Sequence, residues 1–169
     1  TIADQIDLVA KVASAFSQFA QLPEKNNEVF NLNREIKNII NIFSDEKTYF
    51  HANAENIMIK MDKIYLSRIA TNLVANAKQA RHDDRENIIN VDLEQRQKRI
   101  IITVEDNGIG ISEDLYDRIF EPNFTSKTSG TGLGLTMVRK MVEDYKGEIS
   151  VKSVVGNGTT FTILLPTNL

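Results

Sequence analysis

Residues 62–80, DKIYLSRIATNLVANAKQA, decide how the rest of the chain is interpreted. Apolar residues recur here at the i, i+3, i+4, i+7 spacing of a helix that packs on a core. These residues are Leu66, Ile69, Ala70, Leu73, Val74 and Ala77. Asn72, Asn76 and Gln79 follow along the edge of that apolar face, although Asn is unfavourable inside a helix because its amide competes for backbone groups. The two asparagines are either a solvated amide stripe or a pair of carboxamide oxygens directed at a cation or phosphate in a cleft.

The composition indicates one globular domain with a small appendage. A chain of 169 residues that is 41% hydrophobic can bury one solid core. The net charge of −3, with both signs interspersed, argues against a nucleic-acid groove, and the absence of cysteine excludes disulfides and thiolate metal sites. We find no apolar run of membrane-spanning length and no signal peptide. We therefore expect a soluble cytoplasmic module and, since residue 1 is Thr rather than Met, a piece of a longer protein.

The first 22 residues are predicted to form a helix with two apolar stripes. One stripe runs through Ile2, Ile6, Val9, Ala13, Phe16 and Ala20, and the other through Leu8, Val12, Ala15, Phe19 and Leu22. Two stripes indicate neighbours on two sides, as in a helical bundle, although packing on its own domain is an alternative. Pro23 ends this helix, and residues 23–33 read as a polar linker. Asn33 is predicted to cap the next helix, so that the main domain covers residues 34–169.

The rest of the chain predicts an α+β fold. Strands are expected at 48–52, 56–61, 87–95, 99–105, 148–154 and 159–165, and further helices at 112–119 and 133–145. Asp62 is a candidate N-cap of the central helix, and Gly147 a candidate left-handed C-cap. A mixed or antiparallel sheet packed under helices, in a two-layer α/β sandwich, is the architecture that this order favours.

Seven of the eight glycines fall in three clusters. In EDNGIGI, residues 105–111, Asn-Gly after a strand signals a hairpin, but a second glycine suits backbone that approaches a flat ligand. Asp106 could accept a hydrogen bond from an exocyclic amine such as adenine N6. The third cluster, GNGTTF at 156–161, is compatible with a simple hairpin.

The second cluster, GTGLGL at residues 130–135, opens a predicted helix. Backbone N–H groups at a helix N-terminus attract anions, and glycines let phosphate oxygens approach closely. The spacing matches neither a P-loop nor a dinucleotide fingerprint. Lys127, with Thr125, Ser126 and Thr128, either closes over a triphosphate or is an ordinary exposed loop lysine.

Together, these segments resemble the catalytic ATP-binding domain of sensor histidine kinases, in the GHKL superfamily with its Bergerat fold. NLVANAKQA is similar to the N box, EDNGIGI to the G1 box, IFEPNFTSK to the F box, GTGLGL to the G2 box and GNGTTF to the G3 box. These motifs stand in family order between residues 62 and 166. The segment SAFSQFAQLPE, residues 14–24, further resembles the nitrogen-regulation-type kinases.

The resemblance implies an ATP site with Mg²⁺ bound by Asn76, and with Asn72 beside it as a second candidate ligand. Asp106 would bind the adenine amine. The implied catalytic residues are Asn72, Asn76 and Lys127. The implied ATP-binding residues are Asn76, Gln79, Asp106, Gly108, Gly110, Ile111, Phe120, Phe124, Thr125, Lys127, Gly130, Thr131, Gly132, Leu133, Gly134 and Thr160, with Thr159 as the alternative to Thr160 behind the base.

Two positions depart from relatives. Many carry a Lys three residues after the Mg²⁺-binding Asn, where this chain has Gln79, with Lys78 shifted to another face. Superfamily ATPases carry a Glu in the place of Asn72, which activates a water molecule, and an amide cannot take that proton. The chain therefore resembles a kinase that holds ATP without hydrolysing it.

The resemblance also implies partners. Neither histidine, His51 or His82, lies on a helix like the one that carries the family's phosphate acceptor. We expect the acceptor histidine upstream, on a dimerisation domain of the same protein, with residues 1–22 as the end of that domain. The full-length protein would be a homodimer that relays phosphate to an aspartate of a response-regulator receiver domain. The alternatives are a GHKL ATPase, an anti-sigma serine kinase, or a non-catalytic nucleotide-binding interaction module.

Overall fold

The computed structural model describes residues 24–43, 47–122, 124 and 132–167. Within the first 23 residues it describes Ile2, Ala3, Gln5, Ile6, Val9, Ala10, Ala13 and Ser17. Each of these is helical and exposed, in agreement with the predicted N-terminal helix. The other positions of that helix and of its two stripes lie outside the described residues.

A five-stranded mixed sheet forms one layer of the described part of the chain, with the strand order β2-β4-β5-β7-β6. The strands are β2 (Lys47–Ala52), β4 (Ile88–Arg96), β5 (Arg99–Asp106), β6 (Glu148–Val154) and β7 (Gly158–Pro166). Strand β2 runs parallel to β4, and the other neighbours are antiparallel. Two short strands, β1 (Glu28–Asn31) and β3 (Met58–Met61), pair with each other separately.

Three helices pack against this sheet: α1 (Leu32–Asn41), α2 (Lys63–Gln79) and α3 (Gly134–Glu143). Every second residue of β5, of β7 and of β4 as far as Leu93 is buried, as the two-residue period of a strand requires. The apolar face of α2 that the sequence predicted is buried in the same core, through Leu66, Ile69 and Leu73 among others. The expected α+β layering, with a mixed sheet under helices, is confirmed.

The N-terminus of α2 is held by a polar cluster. Asp62 is its N-cap, as predicted, and its Oδ1 accepts hydrogen bonds from the N–H of Ile64 at 2.7 Å and of Tyr65 at 3.4 Å. The Asp62 N–H donates to the hydroxyl of Tyr145 at 2.9 Å, and that hydroxyl donates to the Asn27 side chain. Burial raises the pKa of Tyr145, so the hydroxyl keeps the proton that it donates. The start of α2 is thereby joined to Tyr145, which lies just beyond the end of α3.

The N-cap of α1 differs from the prediction. Asn31, not Asn33, caps α1 and accepts a hydrogen bond from the Arg34 N–H at 3.0 Å. Asn33 is buried instead, and its amide bonds the backbone of Ala54 and Ile57 at 2.8 and 3.0 Å. The segment 23–33 also contains β1, since strand pairing with β3 outweighed its polar composition.

Two further local predictions were wrong. The single helix expected at 112–119 is two 3-10 turns, Glu113–Leu115 and Arg118–Phe120. The left-handed residue after α3 is Lys146, with φ 58°, rather than Gly147. Gly147 is needed for space, because a Cβ there would lie 2.5 Å from the Leu164 carbonyl oxygen.

Candidate active site

The helix that carries the asparagines meets the turn that carries Asp106. The Ile109 N–H donates to the Ala80 carbonyl at the end of α2, at 2.6 Å. A Cβ on Gly108 would lie only 2.1 Å from the same oxygen, so this approach requires glycine. The hairpin interpretation of Asn107-Gly108 is wrong, because β5 pairs with β4 and β7 and the chain leaves the sheet after Asp106.

Asp106 is the last core-facing residue of β5 and is 6% exposed. Its Oδ1 accepts a hydrogen bond from the Gly108 N–H at 2.8 Å, which fixes the orientation of the carboxylate. Gly110 follows with φ 74°, a left-handed conformation that glycine adopts without strain. An ionised carboxylate accepts hydrogen bonds only, which suits an amine donor on a bound base.

The two threonines of the third glycine cluster lie on opposite faces of the sheet. Thr159 pairs with Asp106 in the β5–β7 register and is buried, whereas Thr160 pairs with Glu105. Side chains alternate along a strand, so the residue beside Asp106 is Thr159. Of the two threonines that the sequence left open for the position behind the base, Thr159 is the one on the Asp106 face of the sheet, and its role there stays a prediction. The β6–β7 hairpin expected for this cluster is confirmed.

The two asparagines lie on α2 between its contact with Gly134 of α3 and its contact with the turn that follows Asp106. Asn72 donates from Nδ2 to the Arg68 carbonyl at 2.8 Å, and its Oδ1 is 2.7 Å from the point that a Cβ on Gly134 would occupy. Asn76 lies one turn further along, partly buried, and its side-chain amide makes no hydrogen bond to any residue in the described part of the chain. Gln79, the last residue of α2, is exposed.

Part of the second glycine cluster is described. Gly132 has φ 67°, Leu133 is buried, and Gly134 begins α3. The described end of the cluster therefore opens a helix, as the sequence predicted, and Gly134 lies beside Asn72. The predictions for Thr125, Lys127, Gly130 and Thr131 fall outside the described residues and stay predictions.

The two phenylalanines of the F-box-like segment are anchored on the domain. Phe120 is buried, packs edge-on against Phe161 with ring centroids 6.4 Å apart, and has the Arg139 guanidinium 4.1 Å from its ring. Phe124 is partly buried and packs against the core, with the Arg118 guanidinium 4.7 Å from its ring. Ile111 is also partly buried, and its N–H donates to the Ser153 hydroxyl at 2.8 Å.

Ser153 and Tyr116 support the site but were missed from the sequence. Ser153 Oγ lies 2.9 Å from Thr159 Oγ1 and donates to the Gly158 carbonyl at 2.7 Å. The Tyr116 hydroxyl bonds both the N–H and the carbonyl of Ser153, at 2.7 and 2.6 Å. Strand register brings Ser153 to Thr159, and Tyr116 reaches Ser153 from the end of a 3-10 turn 37 residues earlier, so no local sequence motif predicts these contacts.

The donor set fits a hard cation that brings its own anionic ligands. The described residues contain no group of three or more His, Cys, Asp or Glu side chains that could form a metal cage. Mg²⁺ that is bound to phosphates needs only one or two protein oxygens, and the carboxamide of Asn76 can supply one. Lys78 points elsewhere, as predicted, with its ammonium 5.5 Å from the Phe43 ring centroid.

Comparison with known families agrees with this geometry. Residues 61–169 match the model of the family described as histidine kinase-, DNA gyrase B- and HSP90-like ATPases. The chain belongs to this family, and a site for ATP follows from that membership. In the described part of the chain, every helix is too short or too polar to cross a bilayer.

Within this family the chain is homologous to sensor histidine kinases. It is 36% identical to the sensor histidine kinase ZraS of Salmonella typhimurium over 172 residues, which cover 98% of this chain and 37% of ZraS. It is 31% identical to the histidine-protein kinase AtoS of Escherichia coli over 170 residues, 97% of this chain and 28% of AtoS. The chain thus spans well under half of these relatives.

The solved structures support the same fold. The nucleotide-free catalytic domain of the histidine kinase ThkA superposes with a TM-score of 0.76 at 30% identity, covering 84% of this chain and 96% of that domain. The family and fold predicted from the sequence motifs are confirmed. The nitrogen-regulation-type subgroup stays a prediction.

Proposed function

We propose that this chain is the catalytic domain of a sensor histidine kinase and transfers the γ-phosphate of ATP to a histidine outside this chain. The observation that carries the proposal is the contact between the end of α2 and the Asp106 turn. Through Ala80, it brings the end of the helix that carries Asn76 against the residues that follow Asp106. The homology to sensor histidine kinases favours phosphate transfer to histidine.

The base would be bound at the Asp106 end of this surface. The Asp106 carboxylate accepts a hydrogen bond from the adenine amine, and Thr159 borders it on the same face of the sheet. Gly108 and Gly110 let the backbone of this turn lie directly against Ala80 and Val154, which forms the wall on which the flat purine would lie. This arrangement supplies specificity for adenine rather than reactivity.

The phosphates would be bound at the other end, where α3 begins. The N–H groups of Gly132, Leu133 and Gly134 attract anions, and Lys127 adds positive charge. Asn76, with Asn72 beside it, would ligate Mg²⁺, which neutralises charge that develops on the γ-phosphate during transfer. The Nδ2 of Asn72 donates a hydrogen bond to the Arg68 carbonyl. Asn72 cannot act as a general base, because an amide does not take up a proton. This favours a kinase over an ATPase.

The acceptor and the partners follow from the same proposal. His51 is exposed on β2, and His82, with Nδ1 3.5 Å from Asp84, lies in the loop after α2. We assign acceptor function to neither of these histidines. The acceptor histidine would lie upstream, on a dimerisation domain whose final helix ends with residues 1–22. The catalytic domain would begin at β1, act within a cytoplasmic homodimer, and pass phosphate to a response-regulator aspartate. ThkA, a relative of the same fold, has been solved with the response regulator TrrA.

Radioactive phosphate transfer tests the proposal. With γ-labelled ATP and Mg²⁺, this chain alone should acquire no label, and it should label a separately supplied dimerisation domain on histidine. The product should be labile in acid and stable in base, and Asn76→Ala should abolish it. A stable phosphohistidine on His51 or His82 would refute the assignment of the acceptor. ATP turnover by the chain alone that Asn72→Ala abolishes would establish an ATPase instead.

A further inference from the structure

Arg85 connects the two turns that border the base-binding end of the site. Its Nη2 lies 2.5 Å from the Asn107 carbonyl oxygen, 2.6 Å from that of Gly156 and 3.2 Å from that of Gly108. Asn107 and Gly108 belong to the turn after β5, whereas Gly156 is in the β6–β7 turn. Arg85 itself lies in the loop between α2 and β4, so one side chain joins three separate segments.

The chemistry of this contact explains its strength. Nη2 carries two hydrogens, so it serves two of these carbonyls directly and the more distant Gly108 carbonyl through a shared hydrogen. Three carbonyl oxygens directed at one point repel one another, and the guanidinium charge offsets that repulsion. Hydrogen bonds from a charged donor are also stronger than neutral ones.

Neighbouring hydrogen bonds act on the same turn as Arg85. Asn107 bonds the Ile88 N–H at 2.8 Å and the Glu86 carbonyl at 2.9 Å through its side chain, and Gly156 N–H donates to the Ile109 carbonyl at 2.8 Å. The turn is thus bonded on both sides, and Arg85 contacts both sides through one nitrogen. Gly108, whose carbonyl it contacts, also supplies the N–H that orients Asp106.

We propose that Arg85 is a positioning residue for the base: it holds the backbone of residues 107 and 108 against the β6–β7 turn and so keeps Asp106 in its binding orientation. This inference rests on the proposed function, in which Asp106 binds adenine. Arg85 does not touch the nucleotide, and its loss should weaken every adenine nucleotide by the same factor. A contact with phosphate would instead have a larger effect on a triphosphate than on a diphosphate.

The test is a calorimetric titration of the chain with ADP and with the Mg²⁺ complex of a non-hydrolysable ATP analogue. We expect Arg85→Gln to weaken both ligands roughly three- to tenfold and equally, the loss of a partly exposed charged hydrogen bond. Arg85→Lys should restore most of the affinity, because all three contacts come from one nitrogen and an ammonium group has three donors. Arg96→Gln removes an exposed arginine at the other end of β4 and should leave both affinities unchanged.

Amide hydrogen exchange adds a readout that does not depend on nucleotide. Arg85→Gln should speed the exchange of the Gly108, Ile109 and Gly156 amides while that of the β4–β5 ladder stays unchanged. Unaltered exchange and affinity, or a loss of affinity that grows with the number of phosphates, would overturn the inference. Weaker binding caused by general unfolding would be accompanied by faster exchange throughout the sheet, and that too would overturn the inference. If the wild-type chain bound neither nucleotide, the proposed function itself would fail.

Discussion

Asp106 and Glu105 are neighbours on β5 whose side chains point to opposite faces. Asp106 is buried beside Thr159, and Glu105 is exposed beside Thr160. Both carboxylates carry the same charge and are adjacent in sequence, but only Asp106 lies on the face of the proposed site. This makes it a sensitive comparison for the role of the buried carboxylate.

Asp106→Asn should weaken adenine-nucleotide binding about ten- to hundredfold, since a hydrogen bond to a charged group contributes about 1.5–3 kcal/mol. The variant keeps the size of the side chain and one acceptor oxygen for Gly108. Titration calorimetry with ADP measures the loss, and Glu105→Gln is the matched control. Equal affinities for both variants would show that Asp106 does not bind the base.

At the scale of elements, the contact between α2 and the turn after β5 depends on Gly108. A Cβ there would lie 2.1 Å from the Ala80 carbonyl, and one on Gly147 would lie 2.5 Å from that of Leu164. Gly108→Ala should therefore move the turn away from α2, at a cost of about 1–3 kcal/mol in unfolding free energy, and lower nucleotide affinity as well. Gly147→Ala should cost comparable stability with affinity retained. Denaturant unfolding measures the stability of both variants, and titration calorimetry measures their nucleotide affinity. Unchanged affinity in Gly108→Ala would contradict the account.

The joint between α2 and α3 gives a prediction that depends on pH. Because burial raises the pKa of Tyr145, its hydroxyl is protonated in the folded state at pH values where the unfolded chain is losing that proton. The stability from this group is complete below the unfolded pKa of about 10 and is lost as pH rises towards the folded value. Tyr145→Phe should cost about 1–3 kcal/mol at pH 7, because the Asp62 N–H loses its acceptor, and should flatten the alkaline decline.

Urea unfolding at pH 7 and near pH 10.5 measures both effects. Tyr49→Phe, at an exposed position on β2, is the control and should leave the pH dependence as it is in the wild-type chain. An alkaline decline of the same size in Tyr145→Phe would show that this hydroxyl is not its source. Burial also raises the pKa of Tyr65, so Tyr65 contributes to the decline that remains in Tyr145→Phe.

For the whole molecule, the local signals in the sequence were enough for the family and for most elements. The apolar spacing of α2, the glycine clusters and the alternation of apolar and polar residues in β5 can each be recognised within a short stretch of sequence. Arg85, Ser153 and Thr159 take their roles from segments that meet only after the sheet has formed. The N-cap of α1 is another example. It is Asn31 rather than Asn33, and Asn31 ends β1, which pairs with β3 some thirty residues further along the chain.

The central claim is that α2 and the Asp106 turn are two walls of one nucleotide site. A ¹H–¹⁵N NMR titration with the Mg²⁺ complex of a non-hydrolysable ATP analogue tests it most directly. The side-chain amides of Asn72 and Asn76 and the backbone N–H groups of Gly108 and Gly110 should shift together and give one dissociation constant. Shifts confined to one wall, or two different dissociation constants for the two walls, would contradict the claim.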